Sequence, residues 1–134
     1  MNGTDLISEN YKSGRNFPTQ TVGAVMVVGG GIAGMSAALS IAEQGFRVYL
    51  IEKEKELGGK LRSLGKLFLS GKEAKELIQE KIGEISENKN ITVYTGAKLK
   101  NIEGYIGNFK ATIENGQGAK DIQVGVIVVA VGAE

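Results

Sequence analysis

The sequence predicts an α/β fold in which a parallel sheet carries a three-stranded antiparallel insertion. The first half contains an uninterrupted apolar run at residues 24–28, a glycine-rich turn, and a segment rich in small residues at 32–44. The second half contains three short segments separated by glycine-containing turns, followed by a last apolar run at residues 126–130. Fully apolar runs are typical of parallel strands buried on both faces, and short runs joined by tight turns are typical of antiparallel hairpins.

The first half predicts a strand, a helix and a second strand in that order. Residues 32–44 form the predicted helix, Gly45 ends it, and residues 47–51 form the second strand. Residues 54–66 are expected to form a loop or a short irregular passage. This strand–helix–strand order predicts parallel pairing of the two strands, because the helix returns the chain to the end of the sheet at which the first strand began.

A second helix is predicted after the sequence Ser70-Gly71-Lys72-Glu73, which is a capping box. In such a box the serine hydroxyl and the glutamate carboxylate bind free N–H groups at a helix start. Apolar residues then recur at helical spacing, which predicts an amphipathic helix lying on the sheet. These residues are Ala74, Leu77, Ile78, Ile82 and Ile85.

The remaining elements are strands. Alternation predicts a third strand at 91–95, and three short antiparallel strands follow. The predicted antiparallel strands are residues 98–103, 108–114 and 119–124, with turns at 104–107 and 115–118. The apolar run at 126–130 is a further parallel strand.

The composition excludes several kinds of chemistry. The chain has 134 residues, 42% of them hydrophobic and 23% charged, with a net charge of +1, no cysteine and no histidine. A chain of this length forms one domain, and its charge balance gives no case for nucleic acid as a partner. Without cysteine or histidine we expect no thiol nucleophile, no histidine general base, no iron–sulfur ligand and no typical zinc site. We therefore predict neither catalytic residues nor metal ligands, and chemistry would come from a cofactor or a partner chain.

The chain divides into an arm and a domain. Residues 1–22 are polar and include the single proline, Pro18, so they predict a flexible N-terminal arm ahead of a domain at 23–134. Residues 22–42 are apolar, but glycines interrupt them, no basic region immediately precedes them, and no secretory signal is expected. These features predict a soluble, cytoplasmic protein without a membrane segment.

The glycine turn has the spacing of a site for the diphosphate of a dinucleotide. In Gly29-x-Gly31-x-x-Gly34 the first glycine allows a tight turn, the second lets backbone approach the diphosphate, and the third lets the helix lie close to the strands. The helix N-terminus offers N–H groups and a partial positive charge to phosphates. The cofactor-binding residues predicted here are Gly29, Gly30, Gly31, Ile32, Ala33 and Gly34. The alternative is a glycine-rich turn without a ligand.

An acidic residue stands at the end of the second strand. Glu52 follows Gly34 by 18 positions and is placed to accept the ribose hydroxyls of an adenosine half. A carboxylate there disfavours a 2′-phosphate, which argues against NADP, while the neighbouring Lys53 offsets part of that repulsion. The fold is therefore predicted to be a Rossmann-like FAD/NAD(P)-binding domain, and both NAD and FAD remain open at this point.

Two further segments favour FAD. Gly58-Gly59-Lys60 resembles the Gly-Gly-Arg extension of FAD-binding proteins, although Lys60 lacks the bidentate fork of arginine. Its alternative interpretation is a plain flexible turn. Residues 127–133 resemble the Ala-Thr-Gly turn of flavoproteins with two dinucleotide-binding domains, with Val131 in place of threonine. An antiparallel insertion before the last parallel strand is also common in those flavoproteins.

Residues 103–109 narrow the resemblance to one family. The sequence Glu-Gly-Tyr-Ile-Gly-Asn-Phe there, after Asn-Ile-Thr-Val-Tyr-Thr at 90–95, resembles the FAD domain of the A-type subunit of heterodisulfide reductase and its relatives. Those proteins contain flavin and iron–sulfur centres and serve anaerobic energy metabolism. The match covers residues 25–134. An ordinary hairpin with two glycines and packed aromatic residues is the alternative explanation of the segment.

The resemblance implies a cofactor, site residues and partners. FAD would be held by the glycines of the turn and by Glu52, with Gly59 and Lys60 beside it. The backbone near Leu99 would meet the adenine, and Ala130 and Gly132 would line the phosphate side. The implied function is flavin-based electron transfer, with iron–sulfur electron-transfer subunits, or a second chain completing the flavin site, as partners.

Members of the family have further segments that are not found in this sequence. Family members continue with a later flavin-binding segment and cysteine clusters, so the domain is expected to be truncated and not catalytic alone. Two alternatives stay open: an NAD-binding domain, and a non-catalytic scaffold or half of a split flavoprotein.

Overall fold

The computed structural model describes residues 22–58 and 71–130, the first four of the second range by their backbone alone. These residues form two helices and seven strands, and the predicted α/β fold with an antiparallel insertion is confirmed. In chain order the elements are β1 (Ala24–Val28), α1 (Ile32–Glu43), β2 (Arg47–Glu52), α2 (Gly71–Glu87), β3 (Ile91–Thr95), β4 (Lys98–Tyr105), β5 (Asn108–Asn115), β6 (Gly118–Val124) and β7 (Val126–Val129).

The described elements form three layers, with the central parallel sheet between the two helices and the antiparallel sheet. The strand order in the central sheet is β3-β2-β1-β7, and Val28 lies opposite Ile51 on one side and Val129 on the other. The antiparallel sheet has the order β4-β5-β6. Val25 and Val27 pack with residues of both helices, whereas Ala24 and Met26 pack with residues of the antiparallel sheet. Because successive side chains of a strand alternate, β1 contributes to two cores at once.

The amphipathic helix α2 is formed as predicted, but it packs mainly against α1 rather than on the sheet. Ile78 and Ile85 are fully buried, and Leu77 and Ile82 are half-buried. Of these, Ile85 joins the core cluster that contains the strands, with Ile82 packed against that cluster. The side chains of Glu73 and Ala74, and the whole of Ser70, lie outside the described residues.

The hairpin between β4 and β5 is tighter than the sequence predicted. The strands pair up to Tyr105 and Asn108, so the turn consists of residues 106–107 instead of 104–107. Gly104 lies inside β4 opposite Phe109, with φ +109°. The tip is fastened to the rest of the fold by backbone hydrogen bonds, since Gly107 accepts from Val22 N–H at 3.0 Å and donates to the Gly125 carbonyl at 3.0 Å.

The other predicted boundaries agree to within two residues. The turn between β5 and β6 consists of residues 116–117, and α1 ends at Glu43 with Gln44 as its C-cap. Predictions for the N-terminal arm up to residue 21 and for residues 59–66 lie outside the described residues. Within the described ranges, neither helix is long and apolar enough to cross a bilayer.

Candidate functional site

The glycine turn lies at the carboxyl end of β1, between the central sheet and α1. Gly29 has φ +119° and donates its N–H to the Ile51 carbonyl at 2.8 Å, which joins the turn to β2. A Cβ at Gly34 would overlap the carbonyl oxygen of Gly29, so only glycine lets α1 begin this close to the turn. These two glycines therefore fix the path of the backbone.

The space around Gly31 is open. It is the N-cap of α1, with φ −81° and ψ −168°, and among the described residues no side chain caps this helix end. A Cβ at Gly31 would meet no described atom within 4 Å beyond its chain neighbours. Ala33, in the first turn, is exposed and Ile32 is half-buried. The first N–H groups of a helix have no partners within it, so this open end is suited to an anion.

Glu52, the last residue of β2, faces the turn from the second strand. It is 9% exposed, and its carboxylate is held by two backbone donors. The Gly30 N–H donates to Oε1 at 2.7 Å, and the Glu54 N–H donates to Oε2 at 2.6 Å. An ionised carboxylate has about four acceptor positions, so it retains capacity for hydroxyl donors.

The segment after Glu52 closes over Gly30. The Gly58 N–H donates to the Gly30 carbonyl at 2.7 Å. A Cβ at Gly30 would lie 2.7 Å from Leu57 Cδ2 and 2.9 Å from Glu52 Oε1. Gly30 is thus enclosed, with its N–H and its carbonyl both bonded to protein. The sequence motif includes Gly30 but does not predict the contact with Leu57. The residue that could have indicated the turn over Gly30 is Gly58, whose φ of +75° favours glycine.

The start of the antiparallel sheet is tied to the same end of β2. The Ala97 N–H donates to the Glu52 carbonyl at 3.0 Å, and the Gly96 N–H donates to the Glu54 carbonyl at 2.8 Å. Leu99, two residues further, is half-buried against the core between the two sheets. These hydrogen bonds bring Leu99, the predicted adenine contact, toward the carboxyl end of β2. Lys53, which follows Glu52, is exposed.

On the other side of the turn, Ala130 follows β7. Its N–H donates to the Val28 carbonyl at 2.8 Å, and its side chain lies 3.7 Å from the position of a Cβ at Gly34. The structure therefore places Ala130 beside the glycine turn. The predicted site residues Gly59, Lys60 and Gly132, and the Val131 of the terminal motif, lie outside the described residues.

Comparison with known proteins agrees with this geometry. Residues 23–134 match the model of the pyridine nucleotide-disulphide oxidoreductase family. The chain is 42% identical over 109 residues to an A-type iron-sulfur subunit of CoB–CoM heterodisulfide reductase from Methanopyrus kandleri, covering 79% of this chain and 16% of the relative. It is 43% identical over 89 residues to the corresponding protein of Methanocaldococcus jannaschii, covering 66% of this chain and 14% of the relative. The chain thus spans about a sixth of the first relative and about a seventh of the second.

Solved structures share the fold. L-proline dehydrogenase from P. horikoshii superposes with a TM-score of 0.71 at 27% identity, covering 92% of this chain and 25% of that one. Thioredoxin reductase from Giardia duodenalis superposes with a TM-score of 0.62 at 19% identity, covering 84% of this chain and 32% of that one. The resemblance indicated by residues 103–109 is confirmed by the relatives. This chain therefore belongs to the pyridine nucleotide-disulphide oxidoreductase family, as a dinucleotide-binding domain related to the A-type subunits of heterodisulfide reductase.

Proposed function

We propose that this chain binds FAD through its ADP moiety, as the FAD domain of an oxidoreductase similar to the A-type subunits of heterodisulfide reductase. The observation that carries the proposal is the pairing of an uncapped helix N-terminus at Gly31 with the ordered, buried carboxylate of Glu52. The first is suited to a diphosphate and the second to ribose hydroxyls, and a dinucleotide carries both groups in sequence.

Each part of the site has a proposed role. The diphosphate lies at the turn formed by Gly29, Gly30, Gly31, Ile32, Ala33 and Gly34, with Ala130 and Gly132 along its side. The ribose meets Glu52, and the adenine lies beside the backbone at Leu99. Lys53, Gly59 and Lys60 flank the cofactor. Bound FAD would supply electron-transfer chemistry, while these residues bind and orient it and none acts as an acid, a base or a nucleophile.

The reaction would belong to a larger assembly. The relatives are named as iron–sulfur subunits of heterodisulfide reductase, and the chain spans 16% and 14% of two of them. We propose a cytoplasmic role in flavin-based electron transfer, with iron–sulfur electron-transfer subunits or a second chain completing the flavin site. The described residues would supply the cofactor-binding part of that assembly.

The test is a calorimetric titration of the purified chain with ADP, FAD, NAD and NADP, together with an absorbance spectrum after incubation with FAD. We expect binding of ADP and FAD, and weaker binding of NADP because its 2′-phosphate would face the Glu52 carboxylate. Folded protein that binds no ADP would contradict the proposed site. Tighter binding of NAD than of FAD would reassign the domain to NAD.

A further inference from the structure

We propose that Glu52 is a positioning residue as well as a ribose acceptor: its carboxylate holds the glycine turn in the shape that receives the diphosphate. This inference rests on the proposed function, since it concerns the same site. It predicts that Glu52 contributes to binding of a ligand that has no ribose hydroxyls at all. The ribose and diphosphate subsites would then be energetically coupled through Gly30.

The two hydrogen bonds of Glu52 form a bridge within the protein. Oε1 accepts from Gly30 in the glycine turn, 22 residues away along the chain, and Oε2 accepts from Glu54 in the segment after β2. Both donor–acceptor distances are at the short end of the range, 2.7 and 2.6 Å. Bonds from backbone N–H groups to an ionised carboxylate are stronger than neutral ones, and this carboxylate is only 9% exposed.

Gly30 connects the Glu52 carboxylate to the part of the turn at Gly31, where the diphosphate is proposed to bind. Its neighbours are Gly29, anchored to Ile51, and Gly31, which has no described atom around its Cβ position within 4 Å. The hydrogen bonds that join the backbone before α1 to β2 and to the segment after it are made at Gly29 and Gly30. Gly30 is held by its N–H, bonded to Glu52 Oε1, and by its carbonyl, bonded to the Gly58 N–H. When the bond to Oε1 is removed, we expect the backbone N–H groups at the start of α1 to lose their fixed direction.

The test compares Glu52→Ala with Glu54→Ala. An alanine at position 52 has no acceptor, so both the Gly30 N–H and the Glu54 N–H lose their partner. The control removes the same charge two residues away and keeps the Glu54 backbone N–H. Each folded variant is titrated with ADP and with 2′,3′-dideoxyadenosine diphosphate, which lacks both ribose hydroxyls.

We expect Glu52→Ala to weaken dideoxy-ADP binding about tenfold, because the hydrogen bond that holds Gly30 is lost, while Glu54→Ala changes it less than about twofold. If Glu52→Ala weakens ADP binding but leaves dideoxy-ADP binding unchanged, Glu52 acts on the ribose alone and the inference is wrong. A wild-type chain that binds neither ligand contradicts the proposed function instead.

A measurement without ligand tests the positioning role of Glu52 separately from the proposed binding of the dinucleotide. In wild-type protein without ligand, the Gly30 amide should exchange with solvent as slowly as the Gly29 amide, which is bonded to the Ile51 carbonyl. In Glu52→Ala the Gly30 amide should exchange at least about tenfold faster while the Gly29 amide is unchanged. A Gly30 amide already unprotected in the wild type would overturn the inference, and this wild-type readout does not require the variant to fold.

Discussion

Gly31 and Gly34, three residues apart in the glycine turn, have different surroundings. The difference lets the requirement for folding be tested at one residue and the proposed ligand binding at the other. The position of a Cβ is occupied by backbone at Gly34, whereas no described atom lies within 4 Å of it at Gly31. The motif predicts different roles for the two positions, close packing of the helix at Gly34 and close approach of a diphosphate at Gly31. The distances show that Gly34 serves the packing of α1, while the described part of the chain leaves the Cβ position of Gly31 uncovered.

Gly34→Ala is expected to destabilise the protein. The new methyl group would overlap the carbonyl oxygen of Gly29, and backbone cannot move aside as the end of a side chain can. Overpacking costs about 1–3 kcal/mol in ordinary cores, and a clash with backbone belongs at the upper end. The measurement is the free energy of unfolding in denaturant. An unchanged free energy would mean that α1 does not begin where the structure places it.

Gly31→Ala is the matched variant, and we expect it to fold normally. Its φ of −81° suits alanine and no described atom lies near the new methyl group, and because alanine is a poorer N-cap than glycine, stability should fall by about 1 kcal/mol or less. Affinity for ADP should fall about tenfold or more, because the methyl group enters the space proposed for the diphosphate. Unchanged ADP affinity in calorimetry would move the diphosphate away from Gly31.

At the scale of elements, the hydrophobic pattern predicts the strands well. β1, predicted from an apolar run, and β3, predicted from alternation, have the predicted bounds. Gly104 was predicted to be part of a turn and instead lies within β4, because a glycine that admits a neighbouring carbonyl looks the same in sequence as a turn glycine. The bridge from Glu52 to Gly30 was not predictable either, since backbone donors leave no sequence signal.

Gly104→Ala should destabilise the hairpin more than Gly116→Ala. Gly104 has φ +109°, and its Cβ would collide with the carbonyl oxygen of Asn108. Gly116, in the next turn of the same sheet, has no described atom near its Cβ and no positive φ. Left-handed backbone alone costs a non-glycine residue about 1–2 kcal/mol. The melting temperatures of the two variants provide the comparison, and equal values would place Gly104 in an unstrained turn.

For the molecule as a whole, the candidate site depends on all three layers. The helical layer supplies the N-terminus of α1, the central sheet supplies Glu52, and the antiparallel sheet is tied to the Glu52 carbonyl through Ala97. Ligands of open α/β sheets bind outside the carboxyl ends of the strands, which is where these parts meet. Loosening one layer therefore affects the geometry of the others.

The antiparallel sheet is expected to unfold together with the rest of the domain. Ala111 and Val124 are 0% exposed and pack in the core that contains Met26 of the central sheet, and a three-stranded sheet needs such a covered face for stability. Met26→Ala should cost about 2–5 kcal/mol, which is a large part of the total stability of a domain of about 5–15 kcal/mol. Val129→Ala, at a side chain that is 64% exposed, should change stability by less than about 0.5 kcal/mol.

The measurement is amide exchange at Ala111 in β5 and Val27 in β1, followed in both variants. If the layers form one cooperative unit, Met26→Ala should raise the global exchange rate of the two amides equally, although Val27 faces the helices and Ala111 faces Met26. Faster exchange at Ala111 alone would show that the antiparallel sheet opens separately. In that case its tie to Glu52 would break before the glycine turn does, and the part of the candidate site near Leu99, where we propose that the adenine lies, would be the first part lost on heating.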